Sequence, residues 1–206
     1  MELIEKYNVE AEGVEVQVSI ERGTSGLEYK INLPKISEPT LVLLSELKKR
    51  LITEVTLTTS EIIDPKVIKE IKQRFTANCK QILDVLMPGL EEKTRNFLTG
   101  KLINEMLGLN EIEYLLNDDF LEEVVVNAST EPIRVYHKKY GWLTTNITVK
   151  SEAEVLNYSN IIARRVGRQI TTLNPLLDAH LITGDRSNAV LYPIAHKGNT
   201  ITIRKF

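Results

Sequence analysis

Residues 173–206, LNPLLDAHLITGDRSNAVLYPIAHKGNTITIRKF, decide the fold class. Two alternating runs, residues 179–182 and 187–192, flank the turn signal Gly184-Asp185 and predict a hairpin that carries Arg186 at its tip. A third run, residues 200–206, has the period of a strand, with Ile201 and Ile203 on one side and Thr202 and Arg204 on the other. The pattern therefore places Arg186 and Arg204 on the wet side of one sheet. Each guanidinium offers a planar fork of donors suited to phosphate or carboxylate oxygens, and a charge-assisted hydrogen bond of this kind contributes about 1.5–3 kcal/mol.

Upstream of this stretch, residues 151–166 form the clearest helix. Ser151-Glu152-Ala153-Glu154 is a capping box, Gly167 stands where a left-handed cap is wanted, and Val155, Tyr158, Ile162 and Val166 make an inward stripe. Arg164, Arg165 and Arg168 gather at its C-terminal end, where positive charge complements the helix dipole. Before it, Val124-Val125-Val126, the alternating residues 133–138 and residues 142–149 read as strands joined by a turn at Tyr140-Gly141. A helix laid across such strands gives an α+β layer. His137 reads as a solvated turn residue. With His137, His180 and His196 scattered among strands and a single cysteine, no metal site is expected.

Residues 37–109 are helical in pattern. Ser37-Glu38-Pro39 starts a helix with Leu44, Leu47, Leu51 and Val55 on one face. Asp64-Pro65 starts another, striped by Ile68, Ile71, Phe75, Cys79, Ile82 and Leu86 and ended by Pro88-Gly89. A third carries Leu90, Phe97, Leu98, Leu102 and Met106 inward and is closed by Gly108. Three such helices joined by short loops make a small bundle, in which Cys79 is a buried, inert thiol. A short helix capped by Asn110 then leads to the acidic step Asn117-Asp118-Asp119. Thr99-Gly100-Lys101 is a near miss to a phosphate loop, because Arg95 and Leu102 stand where the motif needs glycine and a hydroxyl residue. Lys101 reads as a solvated helix charge. At the start of the chain, residues 14–20 alternate, residues 23–26 turn and residues 27–33 return, as an extended arm or a hairpin that needs something to pack on.

Hydrophobic content of 42% and charge of 26% are ordinary for a globular protein, which excludes disordered and fibrous classes. The chain of 206 residues allows one or two domains. From residue 161 onward the charges balance at +5, so a total of −2 leaves −7 upstream, and the basic end suits an anionic partner. One cysteine forms no internal disulfide, no apolar run reaches the roughly 20 residues of a membrane span, and the acidic start is no signal peptide. A cytoplasmic protein is expected, reaching a membrane only through partners. Neither interleaved surface aromatics nor a helix-turn-helix signature is present, so no nucleic-acid partner is expected.

The runs Asn174-Pro175-Leu176-Leu177-Asp178-Ala179, Gly184-Asp185-Arg186-Ser187-Asn188-Ala189 and Thr202-Ile203-Arg204-Lys205-Phe206 resemble the end of the N-terminal domain of type II and type IV secretion ATPases, the GspE/PilT superfamily. Val135-Tyr136-His137-Lys138-Lys139-Tyr140-Gly141 and Leu143-Thr144-Thr145-Asn146-Ile147 resemble the archaeal members, which drive pili and the archaellum. The likeness covers the last hundred residues or so well and the first hundred loosely. Asp185 and Ser187 depart from the family's small-hydroxyl and aliphatic neighbours.

The resemblance implies a PAS-like N domain over residues 110–206, preceded by a β arm or hairpin (residues 1–36) and the three-helix bundle (residues 37–109). It implies that a RecA-like C-terminal domain follows, that ATP and Mg2+ lie between the two with neither held by this fragment alone, and that Arg186 and Arg204 meet the terminal phosphate as catalytic and cofactor-binding groups, with Lys205 a further cofactor-binding group. A structural salt bridge is the alternative role for the two arginines, and snorkelling at the sheet edge that for Lys205. It further implies a homo-hexamer, a membrane-platform protein as partner, and a fragment that does not hydrolyse ATP alone because it lacks the phosphate loop. A stand-alone interaction module that docks a membrane-platform or regulatory partner is the alternative. ATPase arginines of this kind contribute about 10³ to 10⁵ in rate.

Overall fold

The computed structural model describes residues 2–24, 26–54, 65–181 and 183–206. Along the chain come strands β1 (Glu2–Ala11), β2 (Val14–Gly23) and β3 (Gly26–Asn32), then helices α1 (Glu38–Glu54), α2 (Pro65–Leu86), α3 (Glu92–Leu107) and α4 (Ile112–Leu116). The second half carries β4 (Leu121–Val126), β5 (Pro132–His137), β6 (Gly141–Thr148), α5 (Glu152–Arg165), β7 (Leu176–His180), β8 (Arg186–Val190) and β9 (Thr200–Arg204). The strands form a nine-stranded sheet in the order β1-β2-β3-β6-β5-β4-β9-β8-β7, in which β3 and β6 are parallel. The α+β class expected from the sequence is thus observed. Val55, Asp64 and Ile182, and the side chain of Ile68, lie outside the described residues.

The chain divides into two compact units, one of Met1–Val9, Val16–Asn32 and Tyr114–Phe206, the other of Glu10–Glu15 and Leu33–Glu113. These boundaries differ from the expected segments: the opening strands belong to the sheet. The strand β1 is absent from the sequence reading because Glu2, Glu5, Lys6 and Glu10 blur its period, and most of its residues are exposed or half-buried. Charges of this kind suit an edge strand, which they keep from pairing with another chain. Its turn to β2 is Glu12-Gly13 with φ of 51° and 73°, the doubly left-handed turn that matches strand twist.

In the first unit the last hairpin is shifted from its expected register. β7 pairs Leu176 to His180 with β8 from Val190 back to Arg186, so the ladder stops at His180 and resumes at Arg186. Arg186 is therefore the first residue of β8 and not the tip. Within the loop, Leu181 N–H donates to Asp185 O at 2.8 Å, and Gly184 N–H donates to Leu181 O at 3.0 Å. Leu177, Ala179, Ser187, Ala189, Ile201 and Ile203 are buried on one face of these strands, the face against which α5 lies. The helix buries Val155, Tyr158, Ser159, Ile162 and Ala163. The Ser151 hydroxyl accepts from Glu154 N–H at 3.2 Å, while the Glu154 carboxylate takes the Lys150 N–H, one residue before the position a capping box prescribes. Gly167 has φ of 68°; its N–H donates to Arg164 O and that of Arg168 to Ala163 O, a Schellman closure.

Three polar side chains fasten this unit. Asp118 is 1% exposed, and its Oδ2 accepts the hydroxyls of Tyr7 and Tyr29, each at 2.7 Å. Burial, and then the Asp118 charge, push both phenols far above their ordinary range. Asn146 extends the short β3–β6 ladder: its Oδ1 accepts Ile31 N–H at 2.9 Å and its Nδ2 donates to Ile31 O at 3.0 Å, as a peptide group would. Glu152 accepts Ser129 N–H at 2.7 Å and Asn199 N–H at 2.6 Å, tying the loop before β9 to the start of α5. His137, expected in a solvated turn, is instead buried at the end of β5, stacked on Phe120, with Nδ1 accepting Lys139 N–H at 3.1 Å.

In the second unit α1, α2 and α3 close on Leu44, Leu47, Leu51, Phe75, Cys79, Leu83, Leu98, Leu102 and Ile103. The last turn of α2 buries Leu83, with Ile82 and Leu86 only half-buried, so the stripe rotates from its expected course. Burial raises the Cys79 thiol pKa, as expected of an inert thiol. Lys101 pairs with Glu105 at 3.1 Å. Gly100 is required by close approach, since a Cβ there would stand 2.4 Å from Val14 Cγ2 and 2.7 Å from the Glu12 carbonyl oxygen. Gly108 does not adopt the expected left-handed cap: its φ is −118°, and Asn110, with φ of 54°, takes that conformation instead.

Replacing Asp118 by Ala strands the buried Tyr29 hydroxyl, which should cost about 1–3 kcal/mol in urea denaturation, part of it recovered by adding Tyr29→Phe. For Glu152, burial raises the pKa but the Ser129 and Asn199 hydrogen bonds outweigh it and hold the carboxyl below its ordinary 4.5. A depressed carboxyl stabilises the fold above its unfolded value and loses that contribution as pH falls through the folded one. The stability advantage of the wild type over Glu152→Gln should therefore be present at pH 7 and shrink below about pH 4.5, as read from denaturation midpoints across pH.

Candidate functional site

The register of β7, β8, β9 and β4 builds the site. Arg186 pairs directly with Arg204 across β8 and β9, His180 with Arg186 across β7 and β8, and Glu123 with Arg204 across β4 and β9. These alternate with the buried Ser187, Ala189, Ile201 and Ile203, so the row His180, Arg186, Arg204, Glu123 runs across the face opposite α5. His180, Arg186 and Arg204 are exposed and Glu123 half-buried. Beside the row lie Asn188 and Thr202, also direct partners.

Two guanidiniums opposite each other on a ladder repel, since directly opposed side chains stand roughly 4.5–5.5 Å apart at Cβ. A flanking carboxylate reduces the conflict at Arg186. Arg186 donates from Nε to Asp178 Oδ1 at 3.1 Å and from Nη2 to Oδ2 at 2.8 Å, a bidentate diagonal pair. Both side chains are about half exposed, 55% and 52%, so the pair is wet. Its hydrogen bonds, then its charge, hold the Asp178 carboxyl below the usual range and the Arg186 guanidinium above its own. Among the described residues Arg204 makes no ion pair. The pairs Tyr136–Trp142 and Arg134–Trp142 continue the open face on β5 and β6, with Arg134 lying 5.5 Å from the indole ring centre.

Lys205 is not brought to the arginines. The alternation of β9 turns it toward the face of Ile201 and Ile203, where it is half-buried and its ammonium donates to the Asp118 carbonyl. Burial lowers its pKa. Arg164 is exposed, and Arg168 donates from Nη1 to the Asp178 carbonyl. Asp178 and Glu123 join the site only through strand pairing. Asp178 could have been found once the hairpin was registered at Leu176 and Val190, because the diagonal neighbour of Arg186 is then acidic. Glu123 depends on the long-range pairing of β4 with β9. No described group of histidine, cysteine and carboxylate side chains has metal-ligand geometry, and no described helix is long and apolar enough to cross a membrane.

No protein-family model matches the chain. Among curated proteins it is similar to three uncharacterized proteins of Methanocaldococcus jannaschii. It is 33% identical to MJ0781 over 206 residues, 99% of this chain and 27% of that protein. It is 27% identical to MJ1288 over 191 residues, 93% of this chain and 73% of that protein, and 28% identical to MJ0900 over 200 residues, 93% and 34%. The chain thus spans about a quarter of one relative, a third of another and three quarters of a third. Among solved structures it is similar to the VirB11 ATPase from the Brucella suis type IV secretion system in complex with sulphate, at 26% identity over 44% of this chain and 28% of that one, with a TM-score of 0.38. So loose a superposition carries no structural argument.

If the anion site is the arginine row, Arg204→Gln should weaken binding of inorganic tripolyphosphate, and Lys205→Met should leave it unchanged. Titration followed by side-chain NMR of the arginines checks both.

Proposed function

We propose that this chain acts as the N-terminal domain of a secretion or pilus-assembly motor ATPase, presenting Arg186 and Arg204 to the terminal phosphate of ATP held on a RecA-like domain. One observation carries the reading: the two arginines, each set in a run resembling that family, are direct cross-strand partners on the exposed face of one sheet. Repulsion between them disfavours the ligand-free arrangement, and a phosphoryl group bearing negative charge relieves it. The transition state of phosphoryl transfer spreads charge over the equatorial oxygens, which a pair of rigid donor forks stabilises.

In this reading the nucleotide and its Mg2+ belong to the cleft with the RecA-like domain, and this chain contributes only the arginines. Contacts that exist while the phosphate is present loosen after hydrolysis and release, which lets the N domain move against its partner domain. A homo-hexamer coupled to a membrane platform would turn that motion into transport. The resemblance of the motif runs supports this assembly, and the two relatives of which the chain spans a quarter and a third leave room for further domains.

A second reading, a stand-alone module that docks a membrane-platform or regulatory partner, draws support from the relative of which the chain spans 73%. What remains of that relative is short beside a domain of about 100–150 residues.

The test uses the gene product with its full natural length. Arg186→Ala and Arg204→Ala should each lower ATP turnover at saturating nucleotide by roughly 10³-fold, the low end of what such arginines contribute in related NTPases. Unchanged turnover in both variants removes the catalytic role.

A further inference from the structure

A guanidinium carries five N–H donors in one plane. Asp178 occupies the side edge of Arg186, through Nε to Oδ1 at 3.1 Å and Nη2 to Oδ2 at 2.8 Å. Both protons of Nη1 and the second of Nη2 have no acceptor among the described residues. One proton of Nη1 and the second of Nη2 form the end edge, the fork with which arginine takes a tetrahedral oxyanion. Asp178 is itself held at the backbone, by pairing opposite Asn188 and by the donation of Arg168 to its carbonyl. The carboxylate therefore grips one edge of Arg186 without covering the edge a phosphate would use.

We infer that Asp178 is a positioning residue of the anion site: it holds Arg186 by the side edge, leaves the end edge to phosphoryl oxygens shared with Arg204, and keeps its own contact while the anion is bound. The inference rests on the proposed function and adds to it the residue that orders the first arginine.

Two effects oppose each other. The Asp178 charge repels an incoming anion, whereas its bidentate grip removes rotamer freedom that the anion would otherwise have to freeze. Asp178 and Arg186 are about half exposed, so the repulsion acts largely through water, whose high dielectric weakens it, and the Arg186 cation lying between the two anions offsets it further. Ordering a long side chain costs binding roughly three- to tenfold, and screening does not touch this cost. Ordering wins, so loss of Asp178 weakens the site.

The probe is inorganic tripolyphosphate, titrated into the 206-residue chain at about 0.15 M salt. Arg186 and Arg204 Nε–Hε resonances are followed, and thermal unfolding shows that each variant is folded. Asp178→Ala should weaken binding roughly three- to tenfold, Asp178→Glu should recover part of the loss, and the Arg186 Nε–Hε group of the wild type should stay ordered at saturation. Tighter or unchanged binding by Asp178→Ala overturns the inference, as does an Arg186 Nε–Hε signal that becomes mobile when the anion binds. Arg186→Ala separates the two levels. If it binds as the wild type does, the arginine-pair reading itself fails; a wild type that gives no arginine response overturns the role of Asp178 alone. If it abolishes binding while Asp178→Ala does not weaken it, only the role of Asp178 fails.

Discussion

The pairing register of β8 with β9 is the constraint on which the site depends. Because side chains alternate with a period of two, a slip of one residue would carry Arg186 or Arg204 to the face covered by α5 and expose Ser187 or Ile203 in its place. The buried Ala189, Ile201 and Ile203 forbid that slip, since each would lose its cover. The hydrophobic face therefore fixes where two like charges meet, and does so against their mutual repulsion. A local conflict maintained by the rest of the fold is the pattern expected of a functional site.

Polar groups do comparable work further along the sheet. Parallel pairing between β3 and β6 covers Glu28 with Thr144 and Tyr29 with Thr145, a short ladder. Asn146 lengthens it with a side-chain amide, and Asp118 gathers Tyr29 and Tyr7 from strands far away in sequence. Buried polar groups stabilise only when their partners are in place, so these contacts specify one pairing of strands more sharply than apolar packing would. On the other side, Glu152 holds the loop leading to β9 by two backbone N–H groups and so supports the strand that carries Arg204.

Much of this was legible in the chain because the signals are local. The stripe of α5, its Ser151 cap and its Gly167 closure follow from spacing, and so do the strands around Val124, Val135 and Leu143. Other features are set by partners distant in sequence. Gly184-Asp185 marks a turn, but Asp178 to His180 belong to a strand whose exposed positions are polar, so the strands separate earlier and Arg186 leaves the tip. The charges of β1 mask its strand period. His137 has the local pattern of a turn residue, and its cover, Phe120 and Tyr140, is assembled only by tertiary packing.

The sequence by itself determined the α+β class, the Ser151 and Gly167 caps of α5 and the side of the sheet on which Arg186 and Arg204 stand, because a period of two and a hydrophobic stripe need only neighbouring residues to be read. Only the tertiary structure decided that the two arginines are direct partners, that Asp178 and Glu123 flank them, and that Lys205 turns inward to the Asp118 carbonyl. Those relations join positions tens of residues apart, and which strands become neighbours is set by burial summed over the whole sheet, a quantity no short window of sequence contains.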